Sequence, residues 1–187
     1  DRGICNFYIF IFRYDIRKLK ELKNKTLSDE DKAILMNKDT RLGRLLVDVE
    51  KLKETGAKFK IEDNKIYVSA SRKLKAVNVK TEVYPGFPTD LGQPMSTLLT
   101  QCKGESLFQE TIYENRMRHI PHLNEMGANI SVSERFAKVN GPTKLKGTKV
   151  VATDLRAGAA LLLAGLKAEG KTVITNIEHI LRGYEEI

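Results

Sequence analysis

The sequence has little of the chemistry from which metal and disulfide sites are built. Its 187 residues include two cysteines, three histidines and no tryptophan. Cys5 and Cys102 lie far apart without a second pair, so neither a disulfide framework nor a zinc site is indicated. Unpaired cysteines are typical of a reducing compartment, and we expect a cytoplasmic protein.

Two of the three histidines, His119 and His122, stand three positions apart, a spacing that can place two metal ligands on one face of a helix. Pro121 lies between them and favours the first turn of a helix instead. We therefore expect a helix to begin here, and we expect no metal site.

Long hydrophobic runs are also missing. The most apolar run near the start, residues 7–12, is far shorter than the ~18 residues that a membrane span requires. It lacks the charged leader and the cleavage site of a signal peptide. We expect no membrane partner. Because the first residue is not Met, we expect the chain to be part of a longer protein.

The excess positive charge is confined to one part of the chain. Residues 1–80 hold 20 Lys and Arg against 12 Asp and Glu, whereas residues 81–187 hold 12 of each, so the first part carries the whole net charge of +8. The densest basic cluster, residues 17–25, has the pattern of an amphipathic helix with a solvated face. The alternative is a basic module that binds nucleic acid or a protein through this part.

The first 41 residues differ from the rest of the chain. Residues 1–41 are predicted to form a basic, mostly helical segment, because residues 15–25 have a helical pattern and Ser28, followed by three acidic residues, is a suitable helix N-cap. A further helix is predicted from about residue 42 to Thr55. We place a boundary after residue 41 and assign residues 42–187 to one partial domain.

From the end of that helix the chain repeats itself. Residues 52–57 (Leu-Lys-Glu-Thr-Gly-Ala) match residues 123–128 (Leu-Asn-Glu-Met-Gly-Ala), 71 positions later. Further matches join Lys73–Lys75 to Lys144–Lys146, Thr89–Asp90 to Thr153–Asp154, Gly104 to Gly170 and Arg116 to Arg182. Because the Thr-Asp pairs are only 64 positions apart, we expect seven extra residues in the first copy, within residues 81–88.

Each copy predicts the same order of elements: a helix that ends at Gly-Ala, then strands, then a strand leading to Thr-Asp, then a helix and a last strand. The predicted strands are 58–61, 66–69, 76–80 and 106–112 in the first copy and 129–132, 149–152 and 172–177 in the second, and the later helices are 94–103 and 156–169. The mixture of helices and strands indicates an α/β (α+β) fold in which helices cover the sheets.

An aspartate stands at a strand-to-helix junction in both copies, which gives two candidate functional residues. Asp154 comes directly before a strong helix, so helix capping and a functional role are equally reasonable for it. Asp90 is separated from Pro94, the predicted helix start, and follows a rigid segment, residues 84–89 (Tyr-Pro-Gly-Phe-Pro-Thr). A rigid loop that presents a carboxylate is suited to a general base.

Three arginines lie close to these aspartates in the repeat. Arg116 and Arg182 follow predicted strand ends. Arg156 stands two residues after Asp154, at the N-terminal end of a predicted helix, where the helix dipole disfavours a cation. Surface ion pairs are one explanation for these arginines, with Glu114, Glu185 and Glu186 as partners. A shared anionic ligand such as phosphate is the other.

Consecutive motifs run through the second part of the chain. They are Tyr84-Pro-Gly-Phe-Pro-Thr-Asp-Leu91, Glu110-Thr-Ile-Tyr-Glu-Asn-Arg116, Leu123-Asn-Glu-Met-Gly127, Ala152-Thr-Asp-Leu-Arg-Ala157 and Arg182-Gly-Tyr-Glu185, with Lys75-Ala-Val-Asn-Val-Lys80 as a further match. In this order they resemble the UDP-N-acetylglucosamine enolpyruvyl transferases, over about residues 42–187. The related enzymes that act on shikimate phosphate share the fold without this motif set.

The resemblance implies a fold and a reaction. The fold is an inside-out α/β barrel of two domains, each with three βαβαββ-like units, of which this chain would supply about two. The reaction transfers enolpyruvate from phosphoenolpyruvate to the 3′-hydroxyl of UDP-N-acetylglucosamine and releases phosphate. It commits the sugar nucleotide to peptidoglycan synthesis. The family uses neither a metal nor an organic cofactor, so none is expected.

The resemblance also implies roles for individual residues. The catalytic residues are Asp90, Asp154 and Arg182, and the substrate-binding residues are Thr89, Asp90, Ile112, Arg116, Arg156 and Arg182. Asp90 would be the base near the sugar hydroxyl and Ile112 a contact to the sugar nucleotide. The two repeat-equivalent arginines would hold the enolpyruvate and its phosphate.

Part of the family's machinery has no counterpart here. The family's first half carries a Lys-Asn pair and a mobile loop whose cysteine acts as general acid, and neither Cys5 nor Cys102 replaces that cysteine. Cys102 lies near the end of a predicted helix, where packing is its expected role. We therefore expect the chain alone to be inactive and the first half of the enzyme to be the partner that complements it. A non-catalytic remnant is the other interpretation.

Overall fold

The computed structural model describes residues 49–62, 65–70, 73–83 and 86–184. The segment predicted for residues 1–41, with the basic module that it offers as an alternative, therefore lies outside the described residues. So do Glu185 and Glu186, the expected ion-pair partners of the last arginine. No described helix has both the length and the apolar character that crossing a membrane requires.

The first unit opens with helix α1, described over residues 49–54, and the antiparallel hairpin of β1 (Lys58–Glu62) and β2 (Lys65–Ser69). It continues with β3 (Val79–Lys80), a 3₁₀ turn (Thr89–Leu91), helix α2 (Gly92–Leu99) and β4 (Gly104–Gln109). Val49 and Leu52, three positions apart on one face of α1, are both buried, as expected for an amphipathic helix.

The second unit has the same order of elements. Helix α3 (Ile120–Glu125) precedes the hairpin of β5 (Asn129–Ser133) and β6 (Phe136–Gly141). Strand β7 (Lys149–Val151), helix α4 (Leu155–Lys167), strand β8 (Val173–Thr175) and the short helix α5 (Glu178–Leu181) follow. Strand β6 pairs with β4, so one four-stranded sheet, in the order β3-β4-β6-β5, joins the two units.

The backbone confirms the repeat with the offsets that the sequence predicts. Parallel pairing joins Val79 to Phe108 in the first unit and Val150 to Ile174 in the second. The backbone amide of Thr81 donates to Gln109 at 2.9 Å, and that of Ala152 donates to Thr175 at 3.0 Å. Glycines end the opening helices in the left-handed region in both units, with φ of 93° at Gly56 and 95° at Gly127. Further repeat-equivalent pairs are Lys75 N with Thr55 O and Lys146 N with Met126 O.

Helices α2 and α4 form the centre of the molecule. All eight residues of α2 are buried, and so is most of α4, whose sequence is rich in Ala and Leu. Small residues allow the two helices to approach closely enough for the Thr97 hydroxyl to donate to the Ala160 carbonyl at 3.1 Å. The sheet alternates around them, because Ser106 and Phe108 of β4 face inward while Leu107 is exposed. Helices therefore lie inside and strands outside.

Several predicted boundaries are wrong. Helix α2 begins at Gly92, two residues before Pro94, because a proline is accommodated anywhere in the first turn, where amides have no helical partner. The strand predicted over 76–80 is shorter, since only Val79 and Lys80 form β3, and Lys75, just before the predicted strand, makes an isolated bridge to Lys103. Arg182, predicted to follow directly on a strand end, instead follows the helix α5, which four residues form without an N-cap side chain.

Candidate active site

Asp90 lies between two arginine side chains. The Arg116 Nη1 donates to Asp90 Oδ1 at 3.2 Å, and the Arg156 Nη2 donates to Asp90 Oδ2 at 2.7 Å. Asp90 belongs to the 3₁₀ turn, and its carboxylate makes no capping bond to α2, whose N-cap residue is Leu91. The sequence-based preference for a presented carboxylate over a helix cap is confirmed at this position. Below, Asp90, Arg116 and Arg156 are called the Asp90 cluster.

Asp154, the repeat-equivalent residue, caps helix α4. Its backbone is extended, and its Oδ1 accepts the amides of Arg156 at 2.8 Å and Ala157 at 2.9 Å. The capping alternative is therefore confirmed for Asp154, and the catalytic role predicted for it stays a prediction. The cap also has a positional effect, since it holds the first turn from which the Arg156 side chain reaches Asp90.

An open cleft of about 650 Å³ lies beside the Asp90 cluster. Its lining is Ile112, Tyr113, Glu114, Asn115, Arg116, Arg118, Arg135, Thr153, Asp154, Leu155, Arg156 and Arg182. We call it the arginine cleft, because five guanidinium groups face two carboxylates there. An excess of fixed cations on a concave surface favours an anionic ligand. The structure thus brings together five of the seven predicted site residues in one lining, and Asp90 joins them through its two arginines.

The ion pairs around this cleft differ from the surface pairs considered for the sequence. Glu114 pairs with Arg135 at 2.9 Å, and not with Arg116. Arg116 instead pairs with Asp90 and lies 4.5 Å above the ring of Tyr113. A guanidinium stacked on an aromatic ring and paired with a carboxylate has few orientations available. The N–H donors of Arg116 are therefore oriented before a ligand binds.

Arg182 lies in the cleft lining at the C-terminal end of α5, where the helix dipole favours a cation. Its side chain has no ion pair with any carboxylate among the residues that the structure describes. The sequence reasoning missed Arg118, which lines the same cleft. Residues 114–119 form irregular turns, so spacing along the sequence gave no signal of the direction in which Arg118 projects.

Thr89 and Ile112 occupy different surroundings. Ile112 is half-buried and lines the arginine cleft, as a substrate-contact residue should. Thr89 is absent from that lining, and its hydroxyl donates to Glu110 Oε2 at 2.8 Å. Contact of either residue with a substrate remains a prediction. The sequence gives no reason to single out Glu110, because sequence alone does not tell a buried glutamate from an exposed one.

Three buried or partly buried side chains, those of His119, Tyr184 and Cys102, have shifted pKa values. Burial lowers the pKa of His119 to about 4, and the nearby Asp154 opposes that shift. Burial raises the pKa of Tyr184, while Arg156 lowers it and Asp90 raises it. Burial also raises the pKa of Cys102 to about 12, which agrees with the packing role expected for this residue.

The histidine pair divides between core and surface. His119 is fully buried, and its Nε2 lies 2.6 Å from the Ser96 hydroxyl. His122 pairs with Glu125 at 3.1 Å within α3, the helix start predicted from Pro121. Within the described part of the chain, no group of three or more His, Cys, Asp or Glu is arranged to hold a metal ion.

Known proteins match most of the chain. The family model described as EPSP synthase (3-phosphoshikimate 1-carboxyvinyltransferase) matches residues 35–187. The chain is 50% identical over 139 residues to UDP-N-acetylglucosamine 1-carboxyvinyltransferase 2 of Listeria monocytogenes and 54% identical over 137 residues to that of Bacillus cereus. These matches cover 74% and 73% of this chain but 33% and 32% of the relatives. The chain thus spans about a third of their length.

Solved structures give the same result for the fold. The enolpyruvyl transferase NikO from Streptomyces tendae is similar over 75% of this chain and 33% of its own, with a TM-score of 0.70 and 28% identity. An EPSP synthase from Acinetobacter baumannii, at 19% identity and a TM-score of 0.54 over 70% of this chain and 32% of its own, supports the fold alone. The predicted fold, part of an inside-out α/β barrel of repeated units, is confirmed. On the family match and the repeated units with buried helices, the chain belongs to the EPSP synthase family of enolpyruvyl transferases, and within it resembles the UDP-N-acetylglucosamine 1-carboxyvinyltransferases.

Proposed function

We propose that this chain forms one wall of the active site of an enzyme that transfers enolpyruvate from phosphoenolpyruvate to the 3′-hydroxyl of UDP-N-acetylglucosamine. The observation that carries the proposal is the Asp90 cluster at the edge of the arginine cleft. The names of the relatives at about 50% identity support the choice of substrates. In that role the protein acts in the cytoplasm, in the first committed step of peptidoglycan synthesis.

The chemistry needs a base and fixed cations. In the addition step the hydroxyl oxygen bonds to C2 of phosphoenolpyruvate, its proton passes to Asp90, and C3 gains a proton from an acid outside the described residues. In the elimination step C3 loses a proton and the bond from C2 to the phosphate oxygen breaks, which restores the double bond. Guanidinium groups held in place offset the negative charge of carboxylate and phosphate throughout.

The Asp90 cluster links anion binding to the base. Arg116 and Arg156 are forked donors that now bind the two oxygens of Asp90. An incoming phosphate or carboxylate competes for the same donors, because both match guanidinium geometry. The anion that is recruited for reaction thereby releases Asp90, which is then available to accept the proton of the sugar hydroxyl. Arg182, with no carboxylate partner among the described residues, is a further contact for this anion.

We further propose that the chain needs a second wall for turnover. The carboxylates that line the arginine cleft serve as helix cap (Asp154) and ion-pair partner (Glu114), and its arginines keep their protons, so we assign the acid that protonates C3 to the second wall. The family's first half, which carries the general acid, is the partner that would complement the chain. An open cleft also keeps its charged groups in contact with water, which weakens their effect on the reacting atoms.

Binding calorimetry on the 187-residue chain tests the proposed function. We expect UDP-N-acetylglucosamine and inorganic phosphate to bind, and Arg116→Gln to weaken phosphate binding about tenfold or more, since hydrogen bonds to charged groups contribute roughly 1.5–3 kcal/mol. Lys138→Gln is the matched control: Lys138 of β6 pairs with Glu105 of β4 on the exposed face of the sheet and does not line the cleft, so this variant removes one positive charge elsewhere.

The same titration distinguishes the proposal from the basic module. Loss of phosphate binding to the same extent in both variants would show that net charge, and not the cleft, attracts the anion. Salt-dependent binding of RNA, with no binding of the sugar nucleotide, would favour a nucleic-acid module and overturn the proposal.

A further inference from the structure

Glu110 is a buried carboxylate behind the Asp90 cluster, and it accepts hydrogen bonds from the segment before Asp90 and from the segment before Arg116. Its side chain is 1% exposed and accepts four hydrogen bonds. Resting on the proposed function, we propose that Glu110 is a positioning residue that fixes both ends of the ion pair between Asp90 and Arg116. Glu110 does not line the arginine cleft, so any effect on substrates passes through the residues that it holds.

The Asp90 end is held through Thr89. The Thr89 hydroxyl donates to Glu110 Oε2 at 2.8 Å, and Thr89 is the first residue of the 3₁₀ turn that carries Asp90. No side chain caps this turn, and its N-cap residue is Pro88. The bond between Thr89 and Glu110 is therefore the side-chain contact that ties the turn to the strand β4, which ends one residue before Glu110.

The Arg116 end is held through the following loop. Glu110 Oε1 accepts the backbone amides of Ile112 at 2.8 Å and Tyr113 at 3.1 Å. The ring of Tyr113 lies 4.5 Å from the Arg116 guanidinium. Fixing the Tyr113 backbone fixes the base of this stacked pair. The two oxygens of one carboxylate thus hold the two segments that meet at the ion pair between Asp90 and Arg116.

The second unit provides an internal comparison. The residue that corresponds to Glu110, with the 66-position offset found for the strands, is Asn176, which has a φ of 58°. In that unit Asp154 accepts amides of its own helix, whereas Asp90 accepts two arginines. The unit with the buried glutamate is the one in which the aspartate is directed into an ion pair.

A purely structural role is a weaker explanation. A buried carboxylate is costly to desolvate, and apolar residues of similar size stabilise a core equally well or better. Apart from Thr81, at the end of β3, every donor to Glu110 belongs to the two segments that form the ion pair. That distribution is what a positioning role requires.

The test is the guanidinium NMR signal of Arg116 in the full 187-residue chain, which needs no substrate. Asp90→Asn gives the signal of a broken ion pair. We expect Thr89→Val and Glu110→Gln each to shift the Arg116 signal by at least half of the shift that Asp90→Asn causes. Valine has no hydroxyl to donate to Glu110, and a glutamine amide cannot accept from all four donors. Thr89→Ser, which keeps the hydroxyl, should leave the Arg116 signal at the parent position. The double variant should shift it no further than the larger single shift, as expected for two residues in one path.

Thr97→Val is the control, since it also removes a buried threonine hydroxyl that donates one hydrogen bond, but at the contact between α2 and α4. It should lower the melting temperature without moving the Arg116 signal. The inference is overturned if Thr89→Val and Glu110→Gln leave the Arg116 signal at the parent position, or if Thr97→Val shifts it equally. A parent chain that fails to bind UDP-N-acetylglucosamine counts against the proposed function alone, because the NMR result is independent of any ligand.

Discussion

Two aspartates at equivalent positions show how a single residue acquires its role from its surroundings. Asp90 is half-exposed and bound by two guanidinium groups, whereas Asp154 accepts two backbone amides at a helix start. The seven extra residues in the first unit separate Thr81 from Thr89 and place the aspartate in its own 3₁₀ turn. The carboxylate is thereby removed from the cap position and directed to the site.

Substitution of Asp154 separates the geometry of the helix cap from the negative charge. Asp154→Ala should lower the free energy of unfolding by about 1 kcal/mol, within the usual 0.5–2 kcal/mol for a lost N-cap, whereas Asp154→Asn keeps an oxygen for the amides and should lower it far less. Chemical denaturation of both variants measures the difference. Equal losses would show that the negative charge, and not the cap geometry, is what stabilises the helix.

Arg182 tests the anion-binding role. Arg182→Lys keeps the charge but loses the forked geometry, so in a full-length enzyme that carries this segment we expect phosphoenolpyruvate use to weaken far more than sugar-nucleotide binding. The KM for phosphoenolpyruvate and the Kd for UDP-N-acetylglucosamine are the quantities to compare. Similar losses for both would identify Arg182 as a structural residue.

At the scale of elements, helix α2 is held by side-chain hydrogen bonds that could not be predicted from its sequence. Ser96 of α2 lies 2.6 Å from the Nε2 of His119, directly before α3. Gln93 Nε2 donates to the Arg116 carbonyl at 2.9 Å, which connects α2 to the loop of the site. These bonds attach the buried helix to the segment that carries the arginine.

The buried histidine predicts a dependence of stability on pH. Burial lowers the pKa of His119 from 6.5 to about 4, so the folded state favours the neutral ring. Between these two values the unfolded state binds more protons than the folded state, and stability therefore falls as the pH falls from 6.5 to 4. The full shift corresponds to roughly 3 kcal/mol, at 1.36 kcal/mol for each pKa unit.

Urea denaturation between pH 7 and pH 4 measures this effect, with His119→Gln and His122→Gln as the pair of variants. His119→Gln should flatten the dependence, and His122→Gln should leave most of it, since His122 is near the surface and pairs with Glu125. A parent curve that is flat over this range would contradict the assignment of His119 as a neutral buried ring.

Much of the architecture could be predicted from the sequence, because the repeat and the helix-ending glycines are local signals. The hairpin of β1 and β2 and the opening turn of α3 at Pro121 are examples. What could not be predicted depends on tertiary contacts: the length of β3, the four-residue helix α5, and the burial of Glu110. The pairing of Asp90 with Arg156 joins residues 66 positions apart and has no local signal.

The molecule as a whole presents one open face of a site. The four-stranded sheet joins the two units, helices α2 and α4 fill the space between the strands, and the arginine cleft opens at the end where the two Thr-Asp segments lie. Fixed cations and a candidate base are present on this wall, and under the proposed function the acid comes from a second wall.

The proposal of a second wall predicts that the chain alone is catalytically inactive. Purified chain should release no phosphate from phosphoenolpyruvate and UDP-N-acetylglucosamine above the rate without enzyme, and addition of the separately made first half of a homologous enzyme should start the release. A phosphate-release assay with and without that half makes the comparison. Clear turnover by the chain alone would show that the described wall already contains the acid.

The role of Asp90 is tested by placing this segment in a full-length relative. The matched segment of the Bacillus cereus relative, 54% identical over 137 residues, is exchanged for that of this chain, and phosphate release is measured with Asp90 and with Asp90→Asn. We expect turnover by the parent chimera and a fall in kcat of roughly 10²–10⁴-fold for Asp90→Asn, with both substrates still bound, as for loss of a general base. A kcat for Asp90→Asn within about threefold of the parent chimera would contradict the role of Asp90 as the base.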